Sequence, residues 1–591
     1  MLINRNGEAS RRKQIWPALS AKVFVARCRL TIPALLMILI GHSWLSIDTI
    51  RQSSVTVDEF AHVPSGYLTL ISGETGLYRK NPPLVKALLA LPWLVDKPKI
   101  PTFQRDRIRD SWYPWIYATQ LMMKNRDGYR SLFTHARLVN LALSLVVAII
   151  LFLWGKRLSG NRGGLITAFL YAFSPTILGY ASIATIDIGP SLFLLLPLFF
   201  LSHSDESPQP IERASFPIIL GGLLGLAWLT KWTGIIWSLA VLACYGYSRY
   251  QRNIPLRSLA WRMTQAVLML LLVVNLAYRF QGTFNPIGST HWVSGLGQTV
   301  DRILPDAIPI PLPGDFVAGL DEEHLAAEHG EFPSFLMGHW KLGGHPFYLP
   351  AVLLFKLPLS FWTALILSLI WRRHQPGHRD QQLIWIPSLM MIVSFMLFTN
   401  ADVGLRYLLP AFVLVMIWTG AVLGRVVLIG SRQSRAVVLI LVAAYGINTL
   451  HTHPNHLAFF NLLAGGPTNG HRVLLNANLD IGQDLPRLKQ WLERNPGDPP
   501  YLAYFGHVDP TLYGIDYQHL PDHPVSGRVI ASVNYVFGAP YVILEGDRLV
   551  EKPLHHFSWL AAFSPITRIG NTLWIYEIPN PSPQLRGEIE P

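Results

Sequence analysis

Charge is what this sequence has least of. Only 14% of its 591 residues are Asp, Glu, Lys or Arg, against roughly 25% in an ordinary soluble domain. Cysteine is nearly absent as well. Cys28 and Cys244 are the two, and two thiols build neither a disulfide framework nor a zinc ribbon. Any extracytoplasmic domain must therefore fold without disulfides. No P-loop, no G-x-G-x-x-G fold signal and no G-x-S-x-G elbow occurs, and no cytoplasmic segment is long enough for a nucleotide-sugar-binding Rossmann domain. The segment DEEHLAAEHG (321–330) lacks the H-E-x-x-H spacing of a zinc helix, and His451, His453 and His456 are interrupted by Pro454. There is no repeat at solenoid periods and no low-complexity linker.

Hydrophobic residues fill the space that charge leaves. They make up 50% of the chain, and aromatics make up 12%. A soluble protein of this size cannot hide so much apolar surface, which excludes a soluble enzyme, a disordered chain and a collagen-like fibre. What remains is an all-α polytopic membrane protein. The net charge of +13 then belongs to cytoplasmic loops and lipid headgroups. Nucleic acid is not an expected partner, because no basic run is interleaved with exposed aromatics.

A basic tail (1–29) precedes an apolar run from Leu30 to Ile47 with no small-residue cleavage site after it, so the first span is retained. Further runs of near-spanning length fall at about 138–154, 164–180, 188–202, 215–230, 232–247, 263–280, 350–370, 383–399, 405–423 and 436–450. The expectation is about 11 transmembrane helices within 30–450, with long outer loops at 48–137 and 281–349. With the tail inside, the short inner loops collect cations such as Lys156, Arg157, Arg213, Arg249, Arg372 and Arg425, while the short outer loops hold only Lys231 and Arg406. This is the positive-inside pattern. It predicts a multi-pass protein of the inner (plasma) membrane with a cytoplasmic N-terminus, and an odd span count puts the C-terminus outside. Residues 451–591 read as a small extracytoplasmic α/β domain. Val473–Leu475, Tyr501–Phe505, Val529–Tyr535, Tyr541–Leu544 and Leu573–Ile578 read as strands, and Asp484–Arg494 reads as a helix.

Polar residues gather at the outer surface. TVDEFAHVPSGYLTL (56–70) carries the adjacent acids Asp58 and Glu59 about ten residues beyond the first span. GLYRKNPPLVKALLALPWL (76–94) then supplies Arg79 and Lys80, a Pro82–Pro83 stop and a short apolar helix suited to the interface plane. A carboxylate can take a proton from an acceptor hydroxyl, and cations can hold a phosphate leaving group. The competing reading is ordinary loop charge. Asp187 in SIATIDIGPSLF (182–193) is either a third functional acid or a helix N-cap. Lys231 in LAWLTKWTGIIW and Lys356 in LLFKLPLSFW are functional cations or snorkelling ones. Arg406, with Tyr407 beside it in NADVGLRYLLPAF (400–412), is a cation that the positive-inside rule disfavours. Its bland alternative is a salt bridge to Asp402.

TVDEFAH, YRKNPPL, the outer Asp187, LTKWTGI, FKLPL and GLRYLLP, taken as an ordered set over about 50–450, resemble the GT-C glycosyltransferases. The resemblance is to the dolichyl-phosphate-mannose protein mannosyltransferase family and its bacterial relatives that transfer aminoarabinose to lipid A. The stretch 453–485 resembles the tail of neither. The resemblance implies a GT-C-like fold and transfer of a sugar from a polyprenyl-phosphate carrier to a protein, lipid or glycan acceptor by a single inverting displacement. It implies Asp58 as base, with Glu59 supporting it or helping to shape the acceptor site. Asp187 would position sugar or acceptor. Arg79, Lys80 and Arg406 would grip the lipid phosphate, with Lys231, Lys356 and Tyr407 as further contacts. No cofactor is required, no metal ligand is assigned, and a divalent metal is left open. Adjacent like charges also suggest a raised apparent pKa, with activity falling on the acid side of neutrality. The alternatives are a GT-C-like polymerase or ligase of lipid-linked glycans, a polytopic transporter or flippase, and a non-catalytic scaffold or receptor.

Overall fold

The computed structural model describes residues 30–204, 215–330, 333–400, 402, 404–545 and 548–579. The basic tail with Cys28, and Arg213, lie outside them. The chain begins with α1 (Leu30–Arg51). The first long loop then folds into α2 (Val57–Ser72), α3 (Pro83–Ala90), α4 (Trp93–Asp96) and α5 (Tyr113–Lys124). The helical body continues with α6 (Tyr129–Ala172), α7 (Pro175–Ala181), α8 (Ile188–Ser204), α9 (Ser215–Trp228), α10 (Thr233–Tyr250) and α11 (Leu256–Ala277). The second long loop holds α12 (Gly295–Ile303), α13 (Gly314–His329) and the hairpin β1 (Ser334–Leu336)–β2 (His339–Lys341). Helices α14 (Tyr348–Lys356), α15 (Leu359–Ile370), α16 (His378–Phe398), α17 (Leu409–Ile429) and α18 (Arg432–Thr452) complete the body.

The expected count of eleven spans is wrong. Among the described residues, six helices are long and apolar enough to cross a membrane: α1, α6, α11, α16, α17 with its preceding turn, and α18. The count rises to seven if α14 and α15, bent by 102° at Leu357–Pro358, form one span. The physical reason differs from run to run. The runs at 138–154 and 164–180 lie on either side of a break in α6 at Ser159 and Gly160, with φ 74° at the glycine, and α6 enters the count once. Helices α8 and α9, over 188–202 and 215–230, have 17 and 14 residues, short of the ~20 that a bilayer core requires. α10 has the length but does not pass as a span. Hydropathy sees an apolar run and is blind to where a helix stops. The parity argument for the C-terminus falls with the count.

From Leu409 to Gly424, α17 carries no charge and is buried all round, as expected of the central helix of a bundle. α1 and α18 instead expose Met37, Ile40, Leu439 and Ile440, the surface a lipid-facing helix presents.

The C-terminal segment is α/β. α19 (Leu485–Arg494) packs by a sheet of order β4-β3-β5-β9-β8, built from β3 (Tyr501–Ala503), β4 (Gln518–His519), β5 (Gly527–Ser532), β8 (Thr567–Ile569) and β9 (Leu573–Ile578). β3 runs parallel to β4 and β5, and β9 runs antiparallel to β5 with Ile530 opposite Ile575. β6 (Val542–Glu545) and β7 (Arg548–Glu551) form a separate hairpin. Two strand readings need correction. Val473–Leu475 is loop, with the Val473 carbonyl taken by the Met337 N–H. The Val529–Tyr535 strand stops at Ser532, whose hydroxyl accepts from the Asn534 N–H and starts α20 (Val533–Val536). Residues 453–485 do not stand apart from the helical body. Their backbone receives Ser54 N–H at Gln483 and Val57 N–H at Ile481, and so fixes the start of α2.

Candidate functional site

The site is built around the first turn of α2. Thr56 is extended, and the Glu59 carboxylate accepts from its N–H at 2.9 Å and its hydroxyl at 3.0 Å. Glu three residues after a Thr N-cap is a capping pattern readable from sequence. Carboxylates in a first turn also face the positive end of the helix dipole. Adjacent residues on a helix point about 100° apart, and here that divergence separates the two acids completely.

Glu59 turns into the core. Arg137 of α6 grips both its oxygens, each at 2.7 Å, and the Ala184 N–H adds a bond of 2.6 Å. The same guanidinium takes the carbonyls of Ser53 and Ser54. One ion pair thus joins the exit of α1, the start of α2, α6 and the turn before α8. Its side chains are 0% and 3% exposed.

Asp58 turns the other way. Its Oδ2 accepts from the Arg406 guanidinium, which reaches it from the 3-10 turn Leu405–Leu408 ahead of α17. These side chains keep 21% and 16% exposure, so solvent and substrate can reach the pair. Arg406 is therefore the partner of Asp58 and not of Asp402, whose carboxylate accepts from the Ser334 hydroxyl and the His345 N–H. Burial pushes the Asp58 carboxyl up, but the charges facing it, Arg406 foremost, outweigh burial and hold it below the ordinary value. The raised pKa expected from two adjacent acids is thus reversed.

A second pair lies beside the first. Asp187, in the turn before α8, accepts from Lys231 Nζ at 3.4 Å and from the Thr185 hydroxyl at 2.9 Å. Lys231 Nζ also sits 3.7 Å from the centre of the Tyr407 ring, a cation–π contact. Burial lowers the Lys231 ammonium's pKa, and Asp187 opposes that shift. Asp58, Asp187, Lys231, Arg406 and Tyr407 thus come together from positions up to 349 apart in the chain.

The remaining expected residues are placed elsewhere. Arg79 pairs with Glu322 of α13 and lies 4.0 Å from Asp315. Gly319 permits this approach, because a Cβ there would lie 2.2 Å from the Arg79 carbonyl oxygen. Lys80 lies within the charge field of Glu322, and its carbonyl accepts from Trp232 Nε1 at 2.6 Å. Lys356 donates to the carbonyls of Leu457 and Asn478, at 2.9 and 2.6 Å. It lines a small cavity with Thr176, Tyr180, Leu405 and His456. Sequence reasoning missed Arg137, which no motif marks, and Tyr180, a charge neighbour of both Asp58 and Arg406. It also passed over His62, although the spacing of TVDEFAH puts that residue one turn after Asp58. Among the described residues no group of three His, Cys, Asp or Glu side chains converges as metal ligands do.

Residues 115–278 match the family model described as dolichyl-phosphate-mannose-protein mannosyltransferase. No curated protein matches the chain in sequence. Among solved structures, ArnT from Cupriavidus metallidurans bound to undecaprenyl phosphate is similar at 12% identity and a TM-score of 0.46, over 93% of this chain and 99% of that one. The archaeal oligosaccharyltransferase AglB from Archaeoglobus fulgidus, in complex with an inhibitory peptide and a dolichol-phosphate, is similar at 10% identity and a TM-score of 0.44, over 89% of this chain and 74% of that one. Over residues 115–278 this multi-pass membrane protein thus resembles the dolichyl-phosphate-mannose-protein mannosyltransferases.

Proposed function

We propose that the protein transfers a sugar from a polyprenyl-phosphate carrier to an acceptor hydroxyl by a single inverting displacement, on the extracytoplasmic side of the membrane. The observation that supports it best is the partly exposed Asp58–Arg406 pair beside Asp187–Lys231: two carboxylates and two cations at one reachable place. In the displacement, the acceptor oxygen attacks the anomeric carbon and the bond to the phosphate oxygen breaks. The acceptor's proton passes to Asp58. Such a positioned base contributes about 10²–10⁴ in rate. The lipid phosphate leaves as an anion held by Arg406, and charge-assisted hydrogen bonds of that kind contribute roughly 1.5–3 kcal/mol each.

The ion pair gives this mechanism an order. Phosphate and Asp58 compete for the same guanidinium. A donor phosphate that takes Arg406 removes the charge that holds the Asp58 carboxyl down, so donor binding makes the base stronger before the acceptor reacts. Asp187, braced by Lys231, would orient the sugar or the acceptor. Arg79, Lys80 and Lys356 are engaged by α13 or by backbone carbonyls and would act on the shape of the site and not directly on the phosphate. The donor class is supported by the match to the mannosyltransferase family. The test is lipid mass spectrometry on a deletion strain. Accumulation of one polyprenyl-phosphate sugar supports the reading and names the donor, and an unchanged pool of these lipids contradicts it.

A further inference from the structure

His62 lies on α2 four residues after Asp58, the spacing that puts two side chains on one face of a helix. It is 4% exposed. Its Nδ1 is buried and has no hydrogen-bond partner among the described residues, a rare state for a polar atom in a folded protein. The neighbours do not explain it. The Tyr78 ring lies 5.2 Å away, centre to centre, and is tilted by 48°. Lys86 is occupied by the Tyr78 carbonyl and sits over the Tyr78 ring. The charged groups acting on His62 are Asp58, Lys86, Asp187 and Arg406, three of which belong to the two ion pairs of the site. A buried, unmet hydrogen-bonding atom thus lies among the groups that would surround the reacting sugar.

We propose that His62 contacts the substrate, holding a hydroxyl through its unmet ring nitrogen and setting that hydroxyl against Asp58. Burial lowers the imidazole's pKa to about 4, so the ring is neutral at working pH. A neutral imidazole suits a hydroxyl, which donates and accepts, and does not suit a phosphate, which needs a cation. The hydroxyl is either a ring hydroxyl of the donor sugar or the attacking hydroxyl of the acceptor. The inference rests on the transferase reading above.

The test uses the full-length protein, with His62→Phe, His62→Asn and His62→Gln. Phenylalanine keeps the ring and removes the hydrogen bond. Asparagine places an amide close to where Nδ1 was, and glutamine places it farther out. Three quantities are measured: affinity for undecaprenyl phosphate, affinity for radiolabelled polyprenyl-phosphate sugars extracted from host membranes, and the rate of transfer to endogenous membrane acceptors. Affinity for undecaprenyl phosphate is expected to be unchanged in all variants. If the hydroxyl is the donor's, His62→Phe binds the sugar-bearing lipid about tenfold more weakly, the loss expected for one hydrogen bond. If it is the acceptor's, both lipid affinities hold and transfer falls by about the same factor. In either case His62→Asn recovers more than His62→Gln, which keeps the comparison decisive should the phenylalanine variant fail to accumulate. Wild-type behaviour of His62→Phe, equal loss of undecaprenyl phosphate binding, or better recovery with glutamine than asparagine overturns the proposal and leaves the transferase reading standing. A wild-type protein that neither binds undecaprenyl phosphate nor transfers sugar overturns both.

Discussion

Asp58 and Glu59 are neighbours in sequence and opposites in structure. Each pairs with one arginine from a distant helix. Glu59 and Arg137 are sealed from solvent, and every lone-pair direction that matters is met by protein: two guanidinium N–H groups, two backbone N–H groups and a hydroxyl. Asp58 and Arg406 keep about a fifth of their side-chain surface open. A saturated buried pair can only brace, because no ligand can enter without breaking it. A partly open pair can exchange its partner for a substrate. Two adjacent acids therefore divide the labour: one holds the loop in place, and the other remains available for chemistry.

The sharpest way to break this comparison is to neutralise the buried side. Glu59→Gln leaves Arg137 charged and unpaired in the core. Removing one member of a buried ion pair costs about 3–5 kcal/mol, so this variant and Arg137→Met are expected to accumulate poorly and melt early in detergent. Wild-type accumulation with lost transfer would move Glu59 from the brace to the reacting centre. On the open side, Asp58→Asn is expected to fold normally and to lose about 10²–10⁴ in transfer rate. Next in size is Arg406→Ala, expected to weaken donor binding about tenfold to a hundredfold. Arg406→Lys should restore only part of it, since the planar fork is lost.

Arg406 also fixes a pH dependence. Asp58 has its folded-state pKa depressed. Its charged form, and the stability of the ion pair, are therefore present above the ordinary carboxylate pKa and are lost as pH falls through the depressed value. Wild-type kcat/KM, which reports the free enzyme with the Asp58–Arg406 pair intact, should show no acid limb from Asp58 between pH 5 and neutrality, the range set by an ordinary aspartate pKa of about 3.9. Arg406→Ala leaves burial in place and removes the charge opposing it, so the acid limb should move upward. A pH–rate profile on both proteins checks the shift, and an unmoved limb would detach Arg406 from Asp58 in function. The smallest effect is expected at Arg79. Arg79→Ala removes a pair with α13 and should lower the melting temperature while leaving affinity for undecaprenyl phosphate within about twofold, since no phosphate contact is assigned to it.

Much of this was legible in the sequence, and the limits have physical causes. Asp58, Asp187, Lys231 and Arg406 were marked by position: Asp58 in the first outer loop, Asp187 at the opening of an apolar helix, Lys231 between two apolar runs, and Arg406 where the positive-inside rule disfavours a cation. β9 was readable to the residue, because Leu573–Ile578 is a short apolar and aromatic run that the sheet buries except at Glu577. The divergence of Asp58 and Glu59 follows from helix geometry once Thr56 is taken as the N-cap, and the capping pattern was there to see. Arg137 carries no local signal, because its partner lies 78 positions away. Arg79 looked free for phosphate until α13 supplied two carboxylates from the other long loop. The span count failed chiefly because an apolar run does not reveal where its helix stops, and α8 and α9 stop at 17 and 14 residues.

The most direct test of the central claim is the Asp58→Asn variant in one membrane preparation, with transfer from radiolabelled polyprenyl-phosphate sugars and binding of the same lipids measured side by side. Transfer reduced by about 10²–10⁴, with donor affinity and melting temperature close to wild type, is the result expected of the base. Transfer close to wild type would contradict the assignment.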